Sequence, residues 1–238
     1  MNRFIVIVTQ YNFKEYINRC LDSIMNQDYP NFIVVVVDDC STDGTWEIAN
    51  EYDVVAIKNE KREHSGPISI KNGLEAVLIE NEDIIVLVSG DDYLADNHVL
   101  SHLNEIYTED VWLSYGQFVP LSGNYGPYCK PIPDIKTYRK STDWVTSHLL
   151  TFRRWLWAEI DDEDLKYNGE YTKYASDAAF MYPMIEMAGA NHIKFVERIL
   201  YVYNDMNPNC LFRLNPKDSI AVSEYFKNKP SYKELECL

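Results

Sequence analysis

The chain has 238 residues, of which 46% are hydrophobic, so it can bury a substantial core as one compact domain. Its formal net charge of -15 at pH 7 argues against a nucleic-acid partner, because nucleic-acid binding requires clustered Lys and Arg. The same acidity is compatible with a nucleotide diphosphate if a divalent cation bridges the negative charges.

The cysteines and the apolar segments indicate the compartment. The chain has five cysteines and no CxxC pair, a pattern that fits neither a zinc site nor a disulfide framework and favours a reducing compartment. The apolar run near the N-terminus is too short for a signal peptide or a membrane span, and no other run reaches membrane length. We expect a soluble cytoplasmic protein without an integral membrane segment, or one domain of a larger bacterial or viral polypeptide.

Apolar strands alternate with helices in the first hundred residues. Runs of mostly apolar residues predict buried strands over 4–8, 32–37, 54–57 and 84–88. Three- and four-residue spacing predicts a helix with an apolar stripe of Ile17, Cys20, Leu21 and Ile24. A short helix follows the second strand, and a longer one begins at Pro67. The apolar stripe of this longer helix is predicted to contain Ile70, Leu74, Val77 and Leu78.

The second half of the chain is less regular. Prolines and glycines beyond about residue 115 predict a long loop. The aromatic segment 144–157 predicts a helix, and 175–188 predicts another that Pro183 breaks or kinks. Residues 193–202 predict one or two strands, and the polar sequence after Pro208 predicts a tail or linker.

The alternation of strands and helices predicts an α/β fold with a mostly parallel central sheet and right-handed crossovers. In such a sheet, polar residues at the carboxyl ends of the strands meet at one crevice. Three strand ends carry polar clusters, which are Thr9-Gln10-Tyr11-Asn12, Asp38-Asp39 and Ser89-Gly90-Asp91-Asp92. We therefore expect one site to contain all three.

The first two clusters each have a functional and a structural interpretation. The segment 9–12 can contact a planar base and its ribose, or it is an ordinary turn capped by Asn12. Two adjacent carboxylates at a buried strand end need a partner, and a uracil N–H or ribose hydroxyls suit Asp38 and Asp39. The alternative is that Asp39 or Ser41 only caps the following helix.

The third cluster predicts a metal site. Gly90 permits a close approach of the backbone, and Asp91 and Asp92 supply the hard oxygen ligands that magnesium or manganese prefers. A tight turn with solvated acids is the alternative. The location at the end of a strand favours the metal.

Read together, these motifs resemble the GT-A fold glycosyltransferases, specifically the inverting family 2. IVIVTQYN resembles the opening strand and turn of that family, and VVVVDDCSTDGT resembles its uridine-binding signature. HSGPISIKNGL resembles its helix start, and VSGDDYL its DxD region. The resemblance covers roughly residues 3–120 well and is weaker beyond them.

The resemblance implies a UDP-sugar donor, a carbohydrate or glycoconjugate acceptor, and Mn²⁺ or Mg²⁺. It places Thr9 and Tyr11 beside the base, Asp39 on uracil or ribose, and Lys71 near the nucleotide or its phosphates. The remaining residues that it assigns to the donor site are Gln10, Asp38, Gly66, Ser89 and Gly90.

The metal motif departs from the family pattern. The usual Asp-x-Asp-Asp is Ser89-Gly90-Asp91-Asp92 here, so the first acid is missing. We therefore expect Asp91 to be the principal metal ligand and Asp92 an auxiliary or structural acid. The implied organisation is a single GT-A domain over 1–212, with a nucleotide-sugar-binding half at 1–120 and an acceptor-side half at 121–212. A tail or linker is expected over 213–238.

An inverting transferase also needs a base that removes the proton of the acceptor hydroxyl. The resemblance assigns this role to Asp177, and the structural alternative is a charge at a helix N-terminus. Asp143 and the acidic run 161–164 are rivals, although a block of acids is more typical of a solvated loop. Asp205 is a weak substitute for a late histidine of the family.

Two groups of aromatic residues receive structural interpretations. Trp144, Trp155 and Trp157 could stack on an acceptor sugar, but a core role is favoured. The five histidines, His148 among them, show no metal-ligand spacing, so surface or capping roles are expected.

The sequence lacks the motifs of two other classes of nucleotide-binding enzyme. A nicotinamide-dependent dehydrogenase would have GxGxxG after the first strand, and TQYNFKEY contains no glycine. The glycine-rich loop with arginine of a sugar nucleotidyltransferase is also absent there. A catalytically inactive nucleotide-sugar or glycan-binding module stays open, since loss of the first DxD acid is one route to such a domain.

Overall fold

Apolar runs rich in β-branched residues form the sheet at the centre of the protein. The computed structural model describes residues 1–123, 128–141, 144–209 and 211–236. Over this part of the chain the strands are β1 (Phe4–Gln10), β2 (Phe32–Asp38), β3 (Val55–Lys58), β4 (Ile84–Ser89), β5 (Tyr93–Leu94), β6 (Leu113–Pro120), β7 (Leu150–Arg153), β8 (Lys166–Tyr167), β9 (Glu170–Tyr171) and β10 (Ile193–Tyr203).

The α-helices lie between these strands and after the last one. Over the same ranges they are α1 (Ile17–Met25), α2 (Thr45–Ala49), α3 (Gly66–Glu75), α4 (Val99–Ile106), α5 (Ile135–Tyr138), α6 (Arg154–Ala158), α7 (Ser176–Ala188), α8 (Leu211–Leu214) and α9 (Pro216–Lys227). A 3₁₀ helix covers Asp162–Leu165. No helix in the described ranges combines the length and the apolar composition that a membrane span requires.

Within the described residues, eight strands form one sheet in the order β3-β2-β1-β4-β7-β6-β10-β5, and β8 and β9 pair separately. β1 is parallel to β2 and β4, and β2 is parallel to β3. β7 runs antiparallel between β4 and β6, while β6 and β10 are parallel. The predicted α/β fold with a mostly parallel sheet is confirmed. The carboxyl ends of β1, β2 and β4 share one edge, which brings the three polar clusters together.

Side chains along each central strand alternate between two apolar layers. Ile5 and Ile7 of β1 belong to the layer that contains α7. Phe4, Val6 and Val8 belong to the opposite layer, which contains α1 and α4. The predicted stripe of α1 is confirmed, since all four of its side chains are buried there.

Helix α7 positions the second half of the site. Its residues from Ala178 to Ile185 are all buried, which is typical of a helix surrounded by core. Pro183 lies inside this helix and does not break it, and the predicted kink stays a prediction. The helix begins at Ser176, so Asp177 lies in its first turn at the edge of the core.

Three predictions of local structure are wrong. Helix α3 ends at Glu75, and Leu78, which was expected in its apolar stripe, is 93% exposed. The loop expected beyond residue 115 begins only after Pro120, because the segment before it pairs with β10. The helix expected over 144–157 is limited to α6, because residues 150–153 fill the sheet between β4 and β6 as β7.

The C-terminal segment is more ordered than a tail or linker. Residues 216–227 form α9, and its Val222 and Phe226 are buried in the same core layer as α7. The predicted late strand over 193–202 is confirmed as the single strand β10.

Candidate functional site

A cleft of about 310 Å³ lies at the carboxyl ends of β1 and β4. Thr9 and Ser89 line it from these two strands, and Asp177 lines it from the first turn of α7. The segment after β10 adds Asn207 and Asn209. The cleft therefore joins the polar strand ends of the first half of the chain to elements of the second half.

The turn after β4 presents Asp91 to the cleft. One carboxylate oxygen of Asp91 accepts a hydrogen bond from Ser89 Oγ at 2.6 Å. The other accepts one from Asn207 Nδ2, also at 2.6 Å. Asn207 is itself oriented, because its Oδ1 accepts a hydrogen bond from the backbone N–H of Asn209 at 2.9 Å. Asp91 is thus held in place by groups that are 2 and 116 residues away.

Asp92 faces inward from the same turn. It is 1% exposed and accepts hydrogen bonds from Tyr201 Oη and the backbone N–H of Asn204, each at 2.7 Å. Burial, with a smaller effect of the neighbouring Asp91, raises the pKa of Asp92 well above its usual range. These contacts fasten the turn to the end of β10, which is the structural part of the role predicted for Asp92.

Asp177 has different surroundings. Its side chain lines the cleft, and no residue of the described ranges forms a hydrogen bond or an ion pair with its carboxylate. Burial raises the pKa of Asp177 to about 6. The partial positive charge at the N-terminus of α7 favours the ionised form of this acid. The desolvation of the carboxylate outweighs the helix end, but the acid still ionises below neutral pH.

Two glycines bring the backbone segments of the site together. A Cβ atom at Gly66, where α3 begins, would lie 2.9 Å from Ser176 Oγ, where α7 begins. A Cβ atom at Gly90 would lie 2.9 Å from Gln10 Cβ. Contacts this short are essentially forbidden for a real Cβ, so a larger residue at either position would separate the walls of the cleft.

Asp38 is part of the framework beneath the site. It is fully buried, and its carboxylate accepts hydrogen bonds from Ser41 N at 2.8 Å and Gln10 Nε2 at 3.0 Å. The Oε1 atom of Gln10 is buried and has no hydrogen-bond partner among the described residues. The predicted donor contacts of Asp38 and Gln10 stay predictions.

Asp39 organises the segment that precedes α3. Its carboxylate accepts hydrogen bonds from Asn59 Nδ2 at 2.9 Å and from the backbone N–H groups of Glu63 and His64 at 2.7 and 2.9 Å. Neither Asp39 nor Ser41 caps α2, because Asp43 accepts the hydrogen bond from Thr45 N instead. The capping alternative for Asp39 is therefore wrong, and its contact with uracil or ribose stays a prediction.

Tyr11 and Lys71 have partners that the sequence did not indicate. The guanidinium of Arg62 lies over the Tyr11 ring, 3.3 Å from its centroid. Lys71 Nζ lies 3.0 Å from both Asp162 Oδ1 and Tyr171 Oη, and Lys71 does not line the cleft. The predicted approach of Lys71 to the nucleotide requires this ammonium to leave Asp162.

None of the rival acids that the structure describes lines the cleft. Asp143 lies outside the described residues. Asp164 accepts hydrogen bonds from Lys229 Nζ at 2.8 Å and Tyr232 Oη at 2.6 Å, and Asp162 pairs with Lys71. The run 161–164 therefore leads into an ion-paired 3₁₀ helix, so the loop expected for it is wrong. Asp161 and Glu163 are exposed, which agrees with the solvation expected for this run. Asp205 accepts hydrogen bonds from Ser122, so Asn207 is the residue of this segment that reaches Asp91.

Sequence reasoning missed His148, which lines the cleft. Its ring stacks on Tyr201 and Tyr203, with centroid distances of 4.7 and 5.5 Å. Burial lowers the pKa of His148 to about 4, so the imidazole is neutral at pH 7. The surface or capping role expected for this histidine is wrong. Trp155 and Trp157 are buried in the core, as favoured.

The charge of the cleft limits what it can bind unaided. Asp91, Asp92 and Asp177 line it, and none of the described lining residues is Lys or Arg. A diphosphate in this cleft would be repelled unless a cation accompanied it. Among the described residues, no group of three or more His, Cys, Asp or Glu side chains is arranged to hold a metal ion. Asp91 fits a cation site that a bound diphosphate completes, because its two oxygens keep free lone pairs beside their hydrogen bonds.

The chain matches known sequences over most of its length. The model of the family described as Glycosyl transferase family 2 matches residues 5–164. Poly(ribitol-phosphate) beta-N-acetylglucosaminyltransferase TarS of Staphylococcus aureus is 29% identical over 215 residues, which are 85% of this chain and 35% of that protein. The Escherichia coli UDP-Glc:alpha-D-GlcNAc-diphosphoundecaprenol beta-1,3-glucosyltransferase WfaP is 29% identical over 116 residues, 48% of this chain and 45% of that protein. The chain spans less than half the length of these two relatives.

Solved structures share the fold. The crystal structure of S. aureus TarS 1-349 in complex with UDP-GlcNAc has a TM-score of 0.70 at 24% identity and covers 94% of this chain and 65% of that one. The mannosyltransferase PcManGT from Pyrobaculum calidifontis, in complex with GDP-Man and Mn²⁺, has a TM-score of 0.64 at 18% identity. It covers 97% of this chain and 66% of that one.

Proposed function

The chain belongs to glycosyl transferase family 2 and has the GT-A fold, both as predicted, and from this premise we propose that it is an inverting hexosyltransferase. The proposed reaction moves a hexose from a UDP-sugar to a hydroxyl of a glycan or another acceptor. The observation that carries the proposal is the position of Asp177. Its carboxylate lines the same cleft as Asp91, without a hydrogen-bond partner in the described part of the chain.

The donor occupies the first half of the cleft in this proposal. Thr9 and Ser89 line that half, and Tyr11 and Asp39 lie on the segments that follow β1 and β2. Asp39 would accept the uracil N3–H, because a carboxylate is an acceptor with lone pairs to spare beside the loop N–H groups. The complexes of TarS with UDP-GlcNAc and UDP support a uridine nucleotide, whereas PcManGT, which is less similar in sequence, is in complex with GDP-Man.

A divalent cation, Mn²⁺ or Mg²⁺, would be held by Asp91, with Asp92 as the acid that fixes the turn. When bound, such an ion neutralises charge that develops on the departing diphosphate. Ser89 and Asn207 orient the Asp91 carboxylate through their hydrogen bonds. The Mn²⁺ in the PcManGT complex supports the choice of ion.

Asp177 would be the general base. Its carboxylate takes the proton of the acceptor hydroxyl while that oxygen forms a bond to the anomeric carbon. The bond between the anomeric carbon and the phosphate oxygen breaks, and UDP leaves with the bonding electrons. One displacement from the opposite face inverts the anomeric centre. With its pKa raised to about 6 by burial, Asp177 is ionised at pH 7 and yet basic enough to take up a proton.

A panel of nucleotide sugars tests the donor assignment. We expect UDP to bind in the micromolar-to-millimolar range by calorimetry with Mn²⁺ present, and UDP-hexoses to bind more tightly than GDP- or TDP-sugars. Metal-dependent release of UDP from one UDP-hexose identifies the donor. Because thymine carries the same N3–H donor as uracil, equal binding of UDP- and GDP-sugars is the result that would contradict the uracil contact of Asp39.

A second function has one observation in its favour. Both oxygens of Asp91 already accept hydrogen bonds, Asp92 is buried, and serine replaces the first acid of the motif. A catalytically inactive module that binds a nucleotide sugar or a glycan would tolerate this arrangement. Binding of UDP without turnover of any UDP-hexose, with every acceptor tried, identifies the module.

A further inference from the structure

A row of four rings extends from the cleft to the surface of the second half of the chain. His148 and Tyr203 line the cleft, Phe118 lies beside both of them, and Tyr128 lies beside Phe118. These four residues are called the aromatic wall below. None of them is on the strands that carry the three predicted donor clusters, β1, β2 and β4.

Ring contacts hold the wall together. The Phe118 centroid lies 5.8 Å from those of His148, Tyr203 and Tyr128. His148 and Tyr203 are stacked at 5.5 Å. The wall is therefore one continuous surface, because each distance is within the range in which aromatic rings attract one another.

The outer and inner ends of the wall differ in polarity. Tyr128 is 60% exposed, so its ring offers an apolar face to a ligand at the surface. At the inner end, His148 has no hydrogen-bond partner among the described residues. Its neutral imidazole can donate one hydrogen bond and accept another. A ligand with both apolar faces and hydroxyl groups matches these two ends.

The charges favour a neutral ligand. The cleft beside the wall contains Asp91, Asp92 and Asp177, and no Lys or Arg lines its described part. The whole chain has a formal net charge of -15. A polymer with repeated phosphodiesters would meet repulsion at this surface, whereas an uncharged sugar chain would not.

We infer that the aromatic wall binds the acceptor, and that the acceptor is a neutral saccharide chain of at least two units. One unit presents its hydroxyl to Asp177 and hydrogen-bonds His148, and a further unit stacks on Tyr128. This inference rests on the proposed transfer to a hydroxyl acceptor. It differs from the acceptor named for TarS, which is poly(ribitol phosphate).

Retention of the purified chain on an immobilised glycan array tests this inference. The array carries neutral mono- and oligosaccharides together with poly(ribitol phosphate), and the protein is applied with UDP and Mn²⁺. We expect retention on neutral oligosaccharides, weaker retention on the corresponding monosaccharides, and none on poly(ribitol phosphate). Retention mainly on poly(ribitol phosphate), or on no neutral glycan at all, overturns the inference.

Variants of the aromatic wall test whether this surface is responsible for retention on the glycan array. Tyr128→Ala should lower retention on oligosaccharides about 3- to 10-fold, the worth of one aromatic contact, and Tyr128→Phe should restore it. His148→Phe keeps a ring but loses the polar nitrogens, and it should lower retention by a similar factor. Tyr225→Ala is the matched control, because this tyrosine is also exposed but packs against Tyr167 and Phe226. Equal retention of wild type and Tyr128→Ala contradicts the inference that the aromatic wall binds the saccharide.

A parallel titration with UDP separates this inference from the proposed function. If the wild-type chain binds UDP but no neutral glycan, the inference fails and the donor assignment stands. If it binds neutral glycans through Tyr128 but no UDP, the aromatic wall is a glycan-binding surface, the proposed transferase function fails, and the glycan is not an acceptor.

Discussion

The carboxylates at the two sides of the cleft differ in how the chain satisfies them. On the side of β2 and β4, Asp38, Asp39 and Asp92 accept hydrogen bonds from the protein itself. On the side of α7, Asp177 has no such partner within the described residues. An acid that is desolvated without a partner costs free energy, and such costs persist mainly where a ligand or a reaction uses the group. Asp38, Asp39 and Asp92 fix the backbone around the cleft through these hydrogen bonds, whereas Asp177 is the candidate for the general base.

Replacement of the unpartnered acid should have the largest effect. Asp177→Asn should lower transfer by roughly 10²–10⁴-fold, the usual worth of a general base, and leave UDP affinity nearly unchanged. Its melting temperature at pH 7 should rise, because the variant removes a charge whose burial is unfavourable. Rates with one active donor–acceptor pair, UDP titrations and thermal melts measure the three quantities.

Asp164→Asn is the matched control for Asp177→Asn. Asp164 is bonded to Lys229 and Tyr232, so its replacement should lower the melting temperature and leave transfer largely intact. If the Asp177 variant retains transfer, or loses stability in proportion to activity, Asp177 is a structural aspartate.

The next largest effect is expected in the turn after β4, where replacement of Asp91 and replacement of Asp92 should lower transfer to different extents. Asp91→Asn should remove the dependence on Mn²⁺ or Mg²⁺ and lower transfer at least about 100-fold, because the ion stabilises charge on the leaving group. Asp92→Asn should leave a measurable remainder, since Asp92 faces Tyr201 and Asn204 rather than a ligand. Calorimetric titration of Mn²⁺ in the presence of UDP gives the affinity independently of turnover. Wild-type transfer that survives excess EDTA would rule out the metal.

Replacement of Asp39 tests whether an acid that already accepts hydrogen bonds from the chain also binds the donor. Asp39→Ala should weaken UDP binding by about 1.5–3 kcal/mol, the range for a hydrogen bond to a charged group. Asp38→Ala is unsuitable as a comparison because Asp38 is fully buried. Asp43→Ala removes a half-buried turn contact at the start of α2 and should leave UDP affinity unchanged. An unchanged dissociation constant for Asp39→Ala would restrict Asp39 to its contacts with Glu63 and His64.

The first half of the fold could be predicted because its signals are local. The apolar runs of β1, β2 and β4 and the stripe of α1 each lie within about ten residues, so periodicity alone identifies them. β7 could not be identified in this way, because its four residues become a strand only between β4 and β6, which are distant in the sequence.

The same distinction applies to the site. The three polar clusters follow their strands directly, so the sequence indicates where they meet. Asn207 carries no local signal, since its contact with Asp91 spans 116 residues. Lys71 pairs with Asp162, which is 91 residues away in the sequence. The motif around Lys71 covers only the start of one helix, so it could not reveal this partner.

The pH dependence of transfer tests the central assignment most directly. The base is active as the carboxylate, and burial raises the pKa of Asp177 to about 6, so activity should be lost as the pH falls through that value. His148 stays neutral over this range, because its pKa is lowered to about 4, and it does not produce the same limb. The account predicts that kcat is level near pH 7–8 and falls about tenfold per unit below pH 6. A rate that is unchanged between pH 7 and pH 5, in a protein that stays folded, would contradict Asp177 as the base.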